Sequence, residues 1–179
     1  MAYPLKVSKS VRSGPGILLE RPELAAQIGC ICADWANVEF NLSIFYGHLM
    51  GVYLPSSPGF APPSHPMANQ IFEEVQTIHS RVQLVKKLAE WVIKDESLKN
   101  DTLAVLEKLK KAGKERNKVA HAVWGICSDE PDALIMQPSF GHMMIYKKHD
   151  FESIFVKIRE VSTELGRVHY LFYQRRENR

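Results

Sequence analysis

Cysteine is scarce in this sequence. Cys30, Cys32 and Cys127 are an odd number with no pairing framework, which excludes a disulfide-stapled scaffold and favours a reducing compartment. Cys30 and Cys32 fall two residues apart inside a helical pattern, on nearly opposite faces, with no second cysteine or histidine cluster beside them. They read as core or semi-buried thiols rather than as a metal or redox pair. Long apolar runs are missing too: the richest stretch, residues 28–54, is interrupted by Asp34 and Glu39, which a membrane span would have to bury. Before Gly14-Pro15-Gly16 there are only scattered Lys6, Lys9 and Arg12 and no continuous apolar segment, so neither a signal peptide nor an anchor is expected, and the expected location is cytoplasmic. Neither sign of charge dominates. With 23 basic and 20 acidic residues the net charge is +3, a balance that permits contact with nucleic acid without requiring it. An internal repeat, a glycine-rich phosphate loop, a metal-ligand constellation and a serine-nucleophile setting are all absent from the sequence. No cofactor or metal is therefore expected.

What is present is helical periodicity. The chain has 179 residues, 45% of them hydrophobic and 24% charged, enough for one well-filled core, so a single domain over 21–175 is expected. Residues 1–20 read as an extended N-terminal arm with little order, for which Tyr3, Leu5 and Val7 offer some apolar contact. A first helix is expected from Arg21-Pro22, with Leu24, Ile28, Ile31, Trp35, Val38, Leu42, Phe45 and Leu49 as one apolar stripe. A proline-rich loop over 53–66 follows, then a second helix from Met67 to Lys94 with Ile71, Val75, Ile78, Val82, Val85, Leu88 and Val92 on its buried side. The third helix runs from Leu98 or Asp101 through Ala122, and the last from Asp150, read as its cap, before a frayed tail at 176–179. Between them, Gly125 to Cys127, Ala133 to Gln137 and His142 to Lys147 read as short strands, a small antiparallel hairpin or ribbon over 125–147.

The chemistry concentrates at the end of the third helix, in Glu115-Arg116-Asn117-Lys118-Val119-Ala120-His121-Ala122-Val123-Trp124-Gly125. Arg116 is permanently cationic, with a fork of donors that fits phosphate oxygens, and His121 brings an imidazole, the side-chain type suited to taking or giving a proton. Asn117 can orient the imidazole or a substrate without adding charge. On RNA this set suits attack by a 2′-hydroxyl on the adjacent phosphorus, with the histidine moving a proton and the arginine holding the developing charge, and that chemistry needs no metal. The spacing alone also suits an ordinary helix end, where histidine and arginine are favoured by the dipole and can cap terminal carbonyls.

The run Arg116-Asn117-x3-His121, near the end of an amphipathic helix and followed by Trp124-Gly125, resembles the motif of the HEPN domains, helical bundles of prokaryotic toxins and defence ribonucleases. The resemblance implies a mainly α, four-to-five-helix bundle in which the small β-hairpin lies between the third and last long helices. It also implies metal-independent endoribonuclease activity with Arg116 and His121 as the signature pair and Asn117 in the polar position. Two chains of that family commonly pack side by side so that both motifs line one cleft, which makes a homodimer the expectation here and RNA, single-stranded or looped, the expected partner. Such toxins are frequently neutralised by a cognate antitoxin protein. Glu39, or Asp34, is the expected acidic group from an early helix. Lys114 and Lys118, within the run Lys108, Lys110, Lys111, Lys114 and Lys118, are expected to contact the substrate backbone, as is Arg81 from the second helix. His79, His142 and Tyr146 are further residues that can flank the site. The alternative reading is a non-catalytic HEPN-like module that binds nucleotides, RNA or a partner protein. A third is a helical interaction protein in which the motif is only a helix ending.

Overall fold

Proline at the first turn of a helix loses no hydrogen bond, and Pro22 opens the first of five α-helices found among the described residues: α1 (Pro22–Leu49), α2 (Pro66–Glu74), α3 (Ile78–Val92), α4 (Glu96–Ala120) and α5 (Lys148–Glu177). Five strands accompany them: β1 (Tyr3–Pro4), β2 (Val11–Ser13), β3 (Val123–Cys127), β4 (Glu130–Gln137) and β5 (Met144–Lys147). The structure, a computed structural model, describes residues 2–5, 10–51, 66–138 and 142–177. The proline-rich segment up to residue 65, Val7, Ser139-Phe140-Gly141 and the last two residues of the tail lie outside these. The fold is mainly helical with an open, five-stranded antiparallel sheet. The chain divides into two compact units, one of Met1–Trp35 and Lys114–Ile158, the other of Ala36–Gly113 and Arg159–Arg179.

The first unit holds the sheet, in the order β1-β5-β4-β3-β2. The three central strands are the segments expected from the sequence. The two edge strands are not: Tyr3–Pro4 pairs with β5 and Val11–Ser13 with β3, so part of the expected arm is built into the sheet. Two or three residues cannot display an alternation, and their strand state comes from the ladder offered by a neighbour. Period-two alternation places Cys127, Ala133, Ile135 and Ile145 in one buried cluster, with Leu5 and Val11 packed against it. On the opposite face, Trp124 and Tyr146 meet each other edge to face at 5.4 Å and both pack on Phe151 of α5. Asp150, expected to cap α5, acts instead from inside its first turn, accepting from the Lys147 backbone N–H at 2.9 Å.

The second unit is helix on helix. Val38, Leu42, Phe45 and Leu49 of α1, Phe72 of α2, Val82, Val85 and Ala89 of α3, Leu106 and Leu109 of α4, and Leu165, Val168 and Phe172 of α5 are buried. The stripe expected on α1 is thus observed, with Ile28 only half-buried. Surface ion pairs join Asp95 to Arg175, Asp101 to Arg167 at 3.0 Å and Lys108 to Glu164 at 2.6 Å, a falling register that makes α4 and α5 antiparallel. Asp95 caps α4, accepting from the Leu98 N–H at 2.7 Å. That bond and the Arg175 partner hold its carboxyl below the usual aspartate range.

The second expected helix is two helices. Their stripe is continuous in sequence, but the chain breaks at Val75-Gln76-Thr77, where Thr77 takes extended backbone angles and its hydroxyl oxygen accepts from the Ser80 N–H at 3.1 Å. Arg81 finishes the preceding helix from the other side, donating from Nε to the Val75 carbonyl at 2.7 Å while lying 5.1 Å above the Phe72 ring. Periodicity cannot register such a break because the stripe in the sequence runs on through it, whereas α2 buries Ala68 and Phe72 and leaves the expected Ile71 exposed. Thr77→Ala removes the cap and is expected to cost about 1 kcal/mol, read as a lower urea midpoint with unchanged m-value.

Candidate active site at the end of α4

The end of α4 is fixed by its own backbone and by the first residues of the sheet. The His121 N–H still reaches the Asn117 carbonyl at 3.1 Å, closing the last turn. Two residues later the chain is already strand, and the buried Trp124 indole N–H donates back to the Val119 carbonyl at 3.2 Å, satisfying an acceptor that the helix leaves open. His121 is thereby held just beyond the helix, exposed to solvent.

Arg116 and Asn117 stand on the preceding turn. The Arg116 Nη1 donates to the Asn117 side-chain oxygen at 3.0 Å, so the asparagine orients the guanidinium in this chain, not the imidazole. Arg116 is half-buried, and its Nε is buried without a hydrogen-bond partner among the described residues. A buried unmet donor costs on the order of 1–3 kcal/mol, more when it belongs to a charged group. The guanidinium is therefore short of acceptors. Among the described residues no hydrogen bond or ion pair joins Arg116 to His121, in keeping with positions about 140° apart round the helix.

Lys114 is exposed and unpaired among the described residues, whereas Lys118 is bound to Glu115 at 2.8 Å, and that hydrogen bond raises the lysine above its usual value. Tyr146 reaches this turn from β5. Burial raises its phenol above the ordinary tyrosine value, the Lys118 charge pulls it back, and Glu115 and Asp150 push it up again. Tyr146 thus flanks the turn from below, while His142 is exposed ahead of β5.

Glu39, Arg81 and His79 belong to the second unit. Glu39 faces Arg81 at 3.8 Å, and Arg81 has further donors on the Val75 and Glu73 carbonyls. These two residues form a helix-end cluster with each other. His79 is exposed on α3, and Asp34 is half-buried on α1. The first unit also carries an open cavity of about 510 Å³, lined by Arg21, Glu23, Asp132, Lys147, Lys148 and His149 among others, and none of the motif residues lines it. Its charges are largely matched: Lys147 pairs with Glu130 and Asp132 at 3.3 and 3.2 Å. The motif lies on an exposed surface instead. Among the described residues no group of three histidine, cysteine or carboxylate side chains could hold a metal ion, and no described helix is long and apolar enough to cross a membrane.

The second unit also brings together two histidines that no motif joins. His48 and His169, 121 positions apart, hydrogen-bond through Nδ1 and Nε2 with ring centroids 4.6 Å apart. Only their shared helical phase with buried neighbours could have hinted at it. No protein-family model, curated protein or solved structure matches the chain.

Proposed function

We propose that the chain is a metal-independent endoribonuclease that cleaves RNA by attack of a 2′-hydroxyl on the adjacent phosphorus, leaving a 2′,3′-cyclic phosphate and a 5′-hydroxyl. The observation that carries this reading is a permanently charged, half-buried guanidinium held by Asn117 and set five residues before an exposed imidazole at the same helix end. Phosphate oxygens are acceptors that the guanidinium fork fits, and the negative charge that builds on them in the transition state strengthens the contact. His121 moves the proton, and Asn117 holds the guanidinium plane. Lys114 and Lys118 draw the backbone toward the turn without selecting bases. Single-stranded or looped RNA fits best, since in-line attack requires a ribose and phosphate that can be turned into line.

Arg116 and His121 diverge on one helix, so the complete site is a cleft between two copies, each giving one pair across a two-fold axis. A homodimer is part of the proposal. Use as a toxin or defence effector, with a cognate antitoxin protein as partner, is a further part, read out by growth arrest when the chain is expressed alone.

The test is incubation of the purified protein with end-labelled RNA in excess chelator. Cleavage to cyclic-phosphate ends is the expected result, and Arg116→Ala should reduce it by about 10²-fold or more while Arg116→Lys recovers only part, because a lysine cannot present a planar fork. Binding without turnover, weakened by Arg116→Ala and indifferent to His121→Ala, would replace the nuclease with a non-catalytic binding module.

A further inference from the structure

We propose that the part-buried His48–His169 pair is a proton-operated latch, which holds the last turns of α1 to α5 within the second unit at neutral pH and releases them on acidification.

His48 is 4% exposed, one residue before the end of α1, and meets His169 of α5 through a direct ring-to-ring hydrogen bond. Phe45 lies 5.4 Å from the His169 ring and 6.0 Å from Phe172, so the pair adjoins an aromatic layer. A hydrogen bond between two imidazoles needs one N–H and one lone pair, which two neutral rings supply. Adding protons to both rings sets N–H against N–H and places two positive charges 4.6 Å apart with little solvent to screen them. The bond that closes the helix pair then becomes a repulsion.

Among the described residues, the titratable group in ring contact with the pair is the Tyr173 phenol of α5, whose ring is 6.0 Å from His48. His169 is pushed down to about 4, first by burial and then by the His48 charge; no carboxylate contributes. In the opened state the ring returns to its ordinary value of 6.5. The folded value is the lower one, so the opened state binds more protons between the two, and closure is favoured fully above pH 6.5 and weakens as pH falls toward 4. At pH 5 the full shift corresponds to about 30-fold in the closed-to-open ratio, and partial exposure of His169 reduces this to roughly tenfold. Asp95, whose carboxyl lies below the usual range, keeps its partner Arg175 through this window.

Hydrogen exchange followed by mass spectrometry, corrected for the intrinsic pH dependence, tests the latch on the full-length chain at pH 7.5 and pH 5. Wild type is expected to lose about tenfold in protection over the ends of α1 and α5, while His169→Gln, which can hydrogen-bond but not titrate there, changes by less than twofold. His79→Gln, exposed on α3, should behave as wild type. The His169→Gln comparison also covers the case in which a larger replacement such as His169→Phe fails to fold. Equal loss in wild type and His169→Gln overturns the proposal, as does unchanged wild-type protection at pH 5.

Discussion

His121→Ala is expected to lower the rate of RNA cleavage in chelator by about 10²- to 10⁴-fold, the range that a positioned proton-transfer group contributes. The loss should fall on turnover rather than on binding. His121 is exposed and its side chain forms no hydrogen bond or ion pair among the described residues, so removing its ring leaves the fold intact and leaves Arg116, Asn117 and Lys114 to hold the phosphate backbone. Affinity for a 2′-O-methyl oligonucleotide, which cannot supply the nucleophile, should change by less than about threefold. Two results would sink the assignment: cleavage that survives the substitution, or cleavage that appears only on adding a divalent ion. Equal loss of affinity and turnover would make His121 a binding group instead.

The second large effect belongs to Gly125, in a motif whose tail the sequence marks without explaining. Gly125 lies in β3 between Ser13 of β2 and Ile135 of β4. A methyl group there meets the Val11 Cγ1 at 2.7 Å, the Gln137 Nε2 at 2.9 Å and the Arg12 backbone oxygen at 3.0 Å. The glutamine tip can turn away, but the carbonyl belongs to a paired strand and the valine to the cluster beneath the sheet. Gly125→Ala should therefore cost about 1–3 kcal/mol through overpacking, measured as a lower urea midpoint and as lost protection of the β2 and β3 amides. Gly29 supplies the contrast: it is helical, exposed and has nothing within 4 Å of an added Cβ, so Gly29→Ala should stabilise by about 0.5–1 kcal/mol. If Gly125→Ala matches wild type, the close approach of β2 to β3 is wrong. Because the same strand begins two residues after His121, a moderate loss of activity in Gly125→Ala without loss of bound oligonucleotide would tie sheet packing to the position of the imidazole.

The sequence by itself determined what repeats with a local period or rests on one side chain's chemistry. The apolar stripe from Leu24 to Leu49 announced α1 because a helix of that length shows its face many times over. Ala133 to Gln137 declared a strand, and Arg116-Asn117-x3-His121 carried the proposed phosphate chemistry, because a guanidinium and an imidazole keep their properties wherever they stand. Tertiary structure decided the rest. It turned Tyr3–Pro4 and Val11–Ser13 into edge strands, since a short segment is extended only when a neighbouring ladder is there to receive it. It split the second helix at Thr77 and gave Arg81 to that break, where capping geometry outweighed an unbroken stripe. It set Asn117 on Arg116 and left the Arg116 Nε without an acceptor. It also brought His48 to His169 across 121 residues, a meeting that no local pattern encodes because it depends on two helices sharing one core.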